Sequence, residues 1–188
     1  LRYTLFAKID EGGVMKRGDS IRKVVSQSIG WLYSRVPLLA RNWGKRFDAL
    51  DATEVPLVML RKPLAQCRIA LITTGGVHLR SQPGFDMNDS RGDASFRVIP
   101  ADTALEQITI THDYYDHRDA DRDLNILFPI GHVRQLVAAG HIGSLATCYG
   151  FMGHIEPPHV ARLLEQTAPQ VVGMLRQERV DAVFLTPA

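Results

Sequence analysis

The segment CRIALITTGGVHL, residues 67 to 79, constrains this chain more than any other, because its apolar run from Ile69 to Ile72 passes directly into Thr73, Thr74, Gly75 and Gly76. A run without polar alternation suits a strand covered on both faces, and a glycine pair after it suits a tight turn at its carboxyl end. The rest of the chain supplies the cover. After Pro129, GHVRQLVAAG predicts a short helix closed by Gly140, and Ile142 to Tyr149 predicts another strand. Helical spacing returns with Val160, Leu163 and Leu164, and again with Val171, Val172 and Leu175 behind Thr167 and Pro169, which suit a helix start. DAVFLTPA then reads as a final buried strand. Strand, helix, strand, helix, strand is the pattern of an α/β fold with a mainly parallel sheet flanked by helices.

Upstream the pattern is different. Residues 19 to 33 place Ile21, Val24, Val25, Ile29 and Leu32 at helical spacing behind Asp19 or Ser20. Beyond Pro37, Leu39, Trp43, Phe47 and Leu50 form a second stripe. Charge divides at a similar place: residues 1 to 66 carry 12 Lys/Arg against 6 Asp/Glu, while residues 67 to 188 carry 10 against 14. All five lysines lie in the first part and all seven histidines in the second. The expected organisation is a basic helical N-terminal segment, residues 1–55, followed by an α/β substrate-binding domain, residues 56–188. At this charge density the basic part reads as a solvated surface, with no nucleic acid as partner.

With 188 residues and 45% hydrophobic composition, the chain has enough material for a sizeable core without disulfides or a structural metal. Its two cysteines, Cys67 and Cys148, form no CxxC pair, which excludes a disulfide-rich secreted scaffold. No stretch nears the roughly 20 apolar residues that span a bilayer. The expectation is a soluble, cytoplasmic protein with no membrane partner.

In open α/β sheets, ligands bind beyond the carboxyl ends of the strands. Three predicted strand ends carry chemistry. The first, Thr73 to His78, offers Thr74, Gly75, Gly76 and His78, where glycines let backbone N–H groups approach a carboxylate or phosphate. It is neither a GxGxxG fingerprint nor a Walker loop, so it gives no support for nucleotide binding.

The second, after Ile108 to Thr111, is the densest polar cluster: His112, Asp113, Tyr114, Tyr115, Asp116 and His117, then Arg118, Asp119, Asp121 and Asp123. Such residues can act as general acids and bases with carboxylates orienting imidazoles. His112, Asp116 and His117 are alternatively metal ligands, and a capped, solvated turn is the third reading. The third strand end, Gly150 to Ile155, holds His154 between small residues, either open to a ligand or satisfied locally, with His159 beyond it. Residues 83 to 95 are rich in turn formers and read as a long loop, in which Arg91-Gly92-Asp93 carries no adhesive meaning. Cys148 reads as a buried small hydrophobe.

The segments ITTGGVHLRSQPGFD, GDASFRVIP, ITHDYYDHRDADRDLNILFPI, GHIGSLATCYGFMGHI and VDAVFLTPA, in that order, resemble the selenoprotein B family of glycine, sarcosine, betaine and D-proline reductases. The resemblance covers roughly residues 56 to 188, with HDYYDH, the following DLN and the LTP near the C-terminus as its distinctive parts. It implies reductive cleavage of a bond at carbon by a selenolate or thiolate. It also implies a multi-subunit complex, a small amino-acid-like substrate and an oligomer. A selenocysteine or cysteine is expected just after Ala188, with no other cofactor in this chain. On this reading His112, Asp113, Asp116, His117 and His154 are the candidate catalytic groups. Thr74, Gly75, Gly76 and His78 are the candidate substrate-binding groups. Two other functions compete: a metal-dependent hydrolase or lyase using His112, Asp116 and His117, and a non-catalytic interaction domain.

Overall fold

The computed structural model describes residues 58–188. The two helical stripes expected between residues 19 and 50, and the domain boundary at residue 55, lie outside the described residues.

The apolar run forms β1 (Arg68–Thr73), the centre of a mixed sheet. On one side β1 pairs in parallel with β5 (Ser144–Leu145) and β6 (Cys148–Gly150), and on the other with β7 (Ala182–Thr186). β3 (Arg97–Ile99) closes the β6 side in antiparallel orientation, while β2 (Val77–Leu79) and β4 (Ile108–Ile110) form a separate antiparallel pair. The class is therefore α/β with a mainly parallel sheet, as the periodicity predicts.

Alternation along β1 sends its side chains into two cores. Ile69 and Leu71 pack with Ile99, Phe128, Ile130, Val133 and Cys148. Ile72 packs with Tyr149, Phe151, Val171, Met174 and Leu175. The first core is roofed by α2 (Ile130–Ala138); α1 is the short helix Arg118–Arg122. The second is roofed by α4 (Ala168–Gln177), which follows the short helix α3 (His159–Arg162). Full burial of a side chain such as Leu71 contributes about 1.5–3 kcal/mol.

Three local expectations need correction. The strand expected over residues 142–149 is split, because the Thr147 amide turns out of the ladder to donate to Glu178 Oε2 at 3.2 Å. Thr167 does not start a helix: its backbone is helical (φ −75°, ψ −41°), and a π-helical turn at Leu163–Thr167 joins α3 to α4. That wide turn leads straight into Pro169, whose missing N–H and bulky ring suit it to the first turn of α4. The last strand, expected to be buried, leaves Val183, Phe184 and Leu185 exposed. Apolar composition alone signals burial only where something packs on the strand, and among the described residues β7 pairs with β1 alone. Among the described residues no helix is long and apolar enough to cross a membrane.

Candidate functional site at the carboxyl edge of the sheet

The carboxyl ends of β1, β6 and β7 meet around Thr74. Its amide donates to Thr186 O at 3.1 Å, and the Ala188 amide donates to its hydroxyl oxygen at 3.1 Å. Gly153, in the loop after β6, lies so close that a Cβ there would stand 3.3 Å from both the Thr74 carbonyl and hydroxyl oxygens. Gly76 requires its glycine twice over. Its φ is +71°, and a Cβ would sit 2.3 Å from Thr111 O and 3.0 Å from His112 Cβ. The turn thus places His112 against the glycine loop.

The backbone donors expected to hold a substrate anion are already engaged. Thr74 N–H bonds Thr186 O, Gly75 N–H bonds Thr73 Oγ1 at 3.1 Å, and Gly76 N–H bonds Phe151 O at 2.8 Å. The loop is a rigid floor, and its glycines serve close packing. His78, expected in the loop, instead lies within β2 and is buried. Its Nδ1 contacts Leu79 O and its Nε2 contacts Thr111 Oγ1, both at 2.8 Å. Since Nδ1 must donate to the carbonyl, Nε2 accepts from the hydroxyl, and burial holds the ring's pKa below its usual value.

His112 differs from His78 in having one nitrogen left over. It is 5% exposed, and its Nδ1 accepts the Tyr114 amide at 3.2 Å. The proton therefore sits on Nε2, which is buried and has no hydrogen-bond partner among the described residues. Burial first, then the neighbouring His154 and His117, press the His112 pKa down to about 4, against the opposing pull of Asp113. At neutral pH it is an uncharged N–H donor.

Tyr114 and Tyr115 frame this ring. Tyr115 meets His112 edge-on with centroids 4.6 Å apart, and its hydroxyl donates to Gly75 O at 2.9 Å. The Tyr114 ring stacks on His154 at 4.0 Å and 21°. His154 Nε2 contacts Ser90 O at 2.9 Å, so that nitrogen carries a proton, and its Nδ1 makes no hydrogen bond among the described residues. The long loop is tied down here too, with Glu156 N donating to Arg91 O at 2.8 Å and His159 Nε2 contacting Asp89 Oδ2 at 2.8 Å.

The structure thus groups His112 and His154 with Thr74, Gly75 and Gly76, and with Tyr114 and Tyr115, which stand in the predicted polar cluster without a role assigned to them. A tyrosine pair set one aspartate after a histidine was the available signal. Asp113 contributes a negative charge beside His112. Asp116 and His117 sit further out. Asp116 Oδ1 accepts from Arg118 Nε at 2.8 Å, which holds its carboxyl down at about 2, and His117 Nδ1 contacts Asp121 Oδ2 at 2.9 Å. Among the described residues no three His, Cys, Asp or Glu side chains are grouped to hold a metal ion, and His112, Asp116 and His117 face different partners. Cys67 and Cys148 are both fully buried, and burial pushes the Cys148 thiol up to about 11, so neither is a ready nucleophile.

No solved structure matches the chain. The D-proline reductase subunit gamma of Acetoanaerobium sticklandii is 38% identical over 126 residues, which is 66% of this chain and 50% of that protein. The chain thus spans about half the length of this curated relative. The profile of the glycine/sarcosine/betaine reductase selenoprotein B family matches residues 40–188, which takes in every described residue and both histidines of the site. With the match running over the strand ends, the glycine floor and the HDYYDH segment together, the chain belongs to the glycine/sarcosine/betaine reductase selenoprotein B family.

Proposed function

We propose that this chain is the substrate-binding α/β portion of a selenol- or thiol-dependent reductase of the glycine, sarcosine, betaine or D-proline type, working with other subunits of a complex. The observation that carries the proposal is the family match over residues 40–188, joined to three parallel strand ends converging on Thr74 beside His112. The substrate class is a small amino-acid-like molecule, and two reduced, buried cysteines suit a reducing compartment such as the cytoplasm. Self-association through the exposed apolar edge of β7 belongs to the same proposal.

The nucleophile has a natural place. Because Ala188 N donates to Thr74 Oγ1, a selenocysteine or cysteine directly after Ala188 would stand at the same strand edge as His112 and His154. Such a group supplies the selenolate or thiolate that attacks the substrate carbon and displaces its leaving group. The rest falls to this chain's residues. Thr74 and the floor behind it position the substrate, and His112, uncharged, donates a hydrogen bond. His154, whose Nδ1 makes no hydrogen bond among the described residues, delivers from that nitrogen, when it is protonated, the proton that the leaving group needs.

The test is thiol-dependent turnover of glycine, sarcosine, betaine and D-proline by the complex purified from its native source, with and without this chain. Turnover of one substrate that disappears on depletion of the chain and returns on its addition supports the reading. Turnover that is indifferent to the chain refutes it.

A further inference from the structure

The fold leaves His112 with a donor it does not use. A buried N–H without a partner costs about 1–3 kcal/mol, and native structures satisfy nearly all such groups. Here everything around the ring fixes it in place. The Tyr114 amide holds Nδ1, the Tyr115 ring packs edge-on against the imidazole, and the Gly76 backbone closes on its Cβ. Tyr115 is itself anchored, since its hydroxyl donates to the Gly75 carbonyl. A ring held this firmly, with its buried Nε2 given no hydrogen-bond acceptor among the described residues, is pre-organised for something that arrives later.

We propose that His112 is the hydrogen-bond donor to an oxygen acceptor of the bound ligand, a carboxylate or carbonyl, and that Tyr115 is the residue that positions it. The chemistry selects the class. With Nδ1 accepting from the Tyr114 amide, Nε2 is a donor, so its partner has to accept; an alkylammonium group carries donors only and is excluded. The inference rests on the reductase reading only for the identity of the ligand.

The test is nitrogen-15 NMR of the histidine rings in the full chain at pH 7, titrated separately with acetate, glycine and methylammonium. Expected are a neutral His112 protonated at Nε2, a saturable shift of that nitrogen with acetate and with glycine, and none with methylammonium. In Tyr115→Phe the ring stays and the hydroxyl bond to Gly75 goes, so acetate binding weakens at least fivefold and the Nδ1-protonated tautomer becomes visible. A His112 charged at pH 7, or protonated at Nδ1, overturns the proposal, as does a methylammonium response equal to that of acetate. A Tyr115→Phe titration identical to wild type overturns the positioning role. Should Tyr115→Phe fail to fold, the wild-type tautomer and titrations decide the proposal without it. The NMR response needs no turnover, so a complex without reductase activity refutes the reductase reading and leaves this inference standing.

Discussion

Substituting Gly76 by alanine tests whether the glycine floor is built for close approach. Two penalties apply. The residue sits at φ +71°, a left-handed conformation that costs a side-chain-bearing residue about 1–2 kcal/mol. The new Cβ would also lie 2.3 Å from the Thr111 carbonyl oxygen, a backbone atom that cannot rotate aside, and such overpacking costs about 1–3 kcal/mol more. The expected loss is about 2–5 kcal/mol. Gly140 supplies the control, because it has a similar φ of +75° with nothing within 4 Å of its would-be Cβ. Gly140→Ala should therefore lose only the conformational part, about 1–2 kcal/mol. Urea denaturation followed by far-UV circular dichroism reads both losses from the shift in midpoint at constant slope. Equal losses for the two variants would show that the loop can relax away from Thr111, and the rigid floor would fall with it.

The remaining predictions concern charge and local order. The His112 pKa is about 4 in the fold and near its ordinary 6.5 when unfolded, so the unfolded chain takes up the proton first as pH falls. The stability this lends is complete above pH 6.5, declines towards pH 4 and is level below, with a full extent of about 3 kcal/mol. In His112→Gln, denaturation midpoints between pH 7 and 4 should show a shallower acid decline than wild type; parallel curves contradict the neutral, buried ring. His159→Phe removes the 2.8 Å contact to Asp89, and hydrogen exchange should quicken over residues 86–93 while the sheet keeps its protection. Unchanged exchange in that loop would mean that the Gly92–Ile155 bridge holds it unaided.

Legibility in the sequence followed range. The apolar run of β1, the helix closed by Gly140 and the loop over residues 83–95 depend on local spacing and turn chemistry, and all three are present in the fold. What depends on distant partners was less visible. Thr147 reads as strand until Glu178, 31 residues away, captures its amide. Thr167 and Pro169 carry the marks of a helix start, which a π-helical turn absorbs. The apolar letters of β7 say nothing about whether another element covers them. At the site, histidines were easy to locate by type, but their roles were set by contacts made across the fold. His78 and His112 look alike in the sequence, yet Thr111 Oγ1 satisfies the first while the second keeps an unpaired donor. Tyr115 acquires its meaning only when Gly75, 40 residues earlier, folds beneath its hydroxyl.

The most direct test of the account is the turnover of the complete complex carrying His112→Gln, His154→Gln or, as a control on the exposed face of α1, Arg122→Gln. Removing a donor from a reacting centre typically lowers kcat by about 10²–10³-fold. The account predicts a loss of at least tenfold in kcat for each histidine variant, at unchanged thermal stability of the complex, and activity within twofold of wild type for Arg122→Gln. Full activity in both histidine variants would contradict it, because the chemistry would then lie away from the strand edge where β1, β6 and β7 meet.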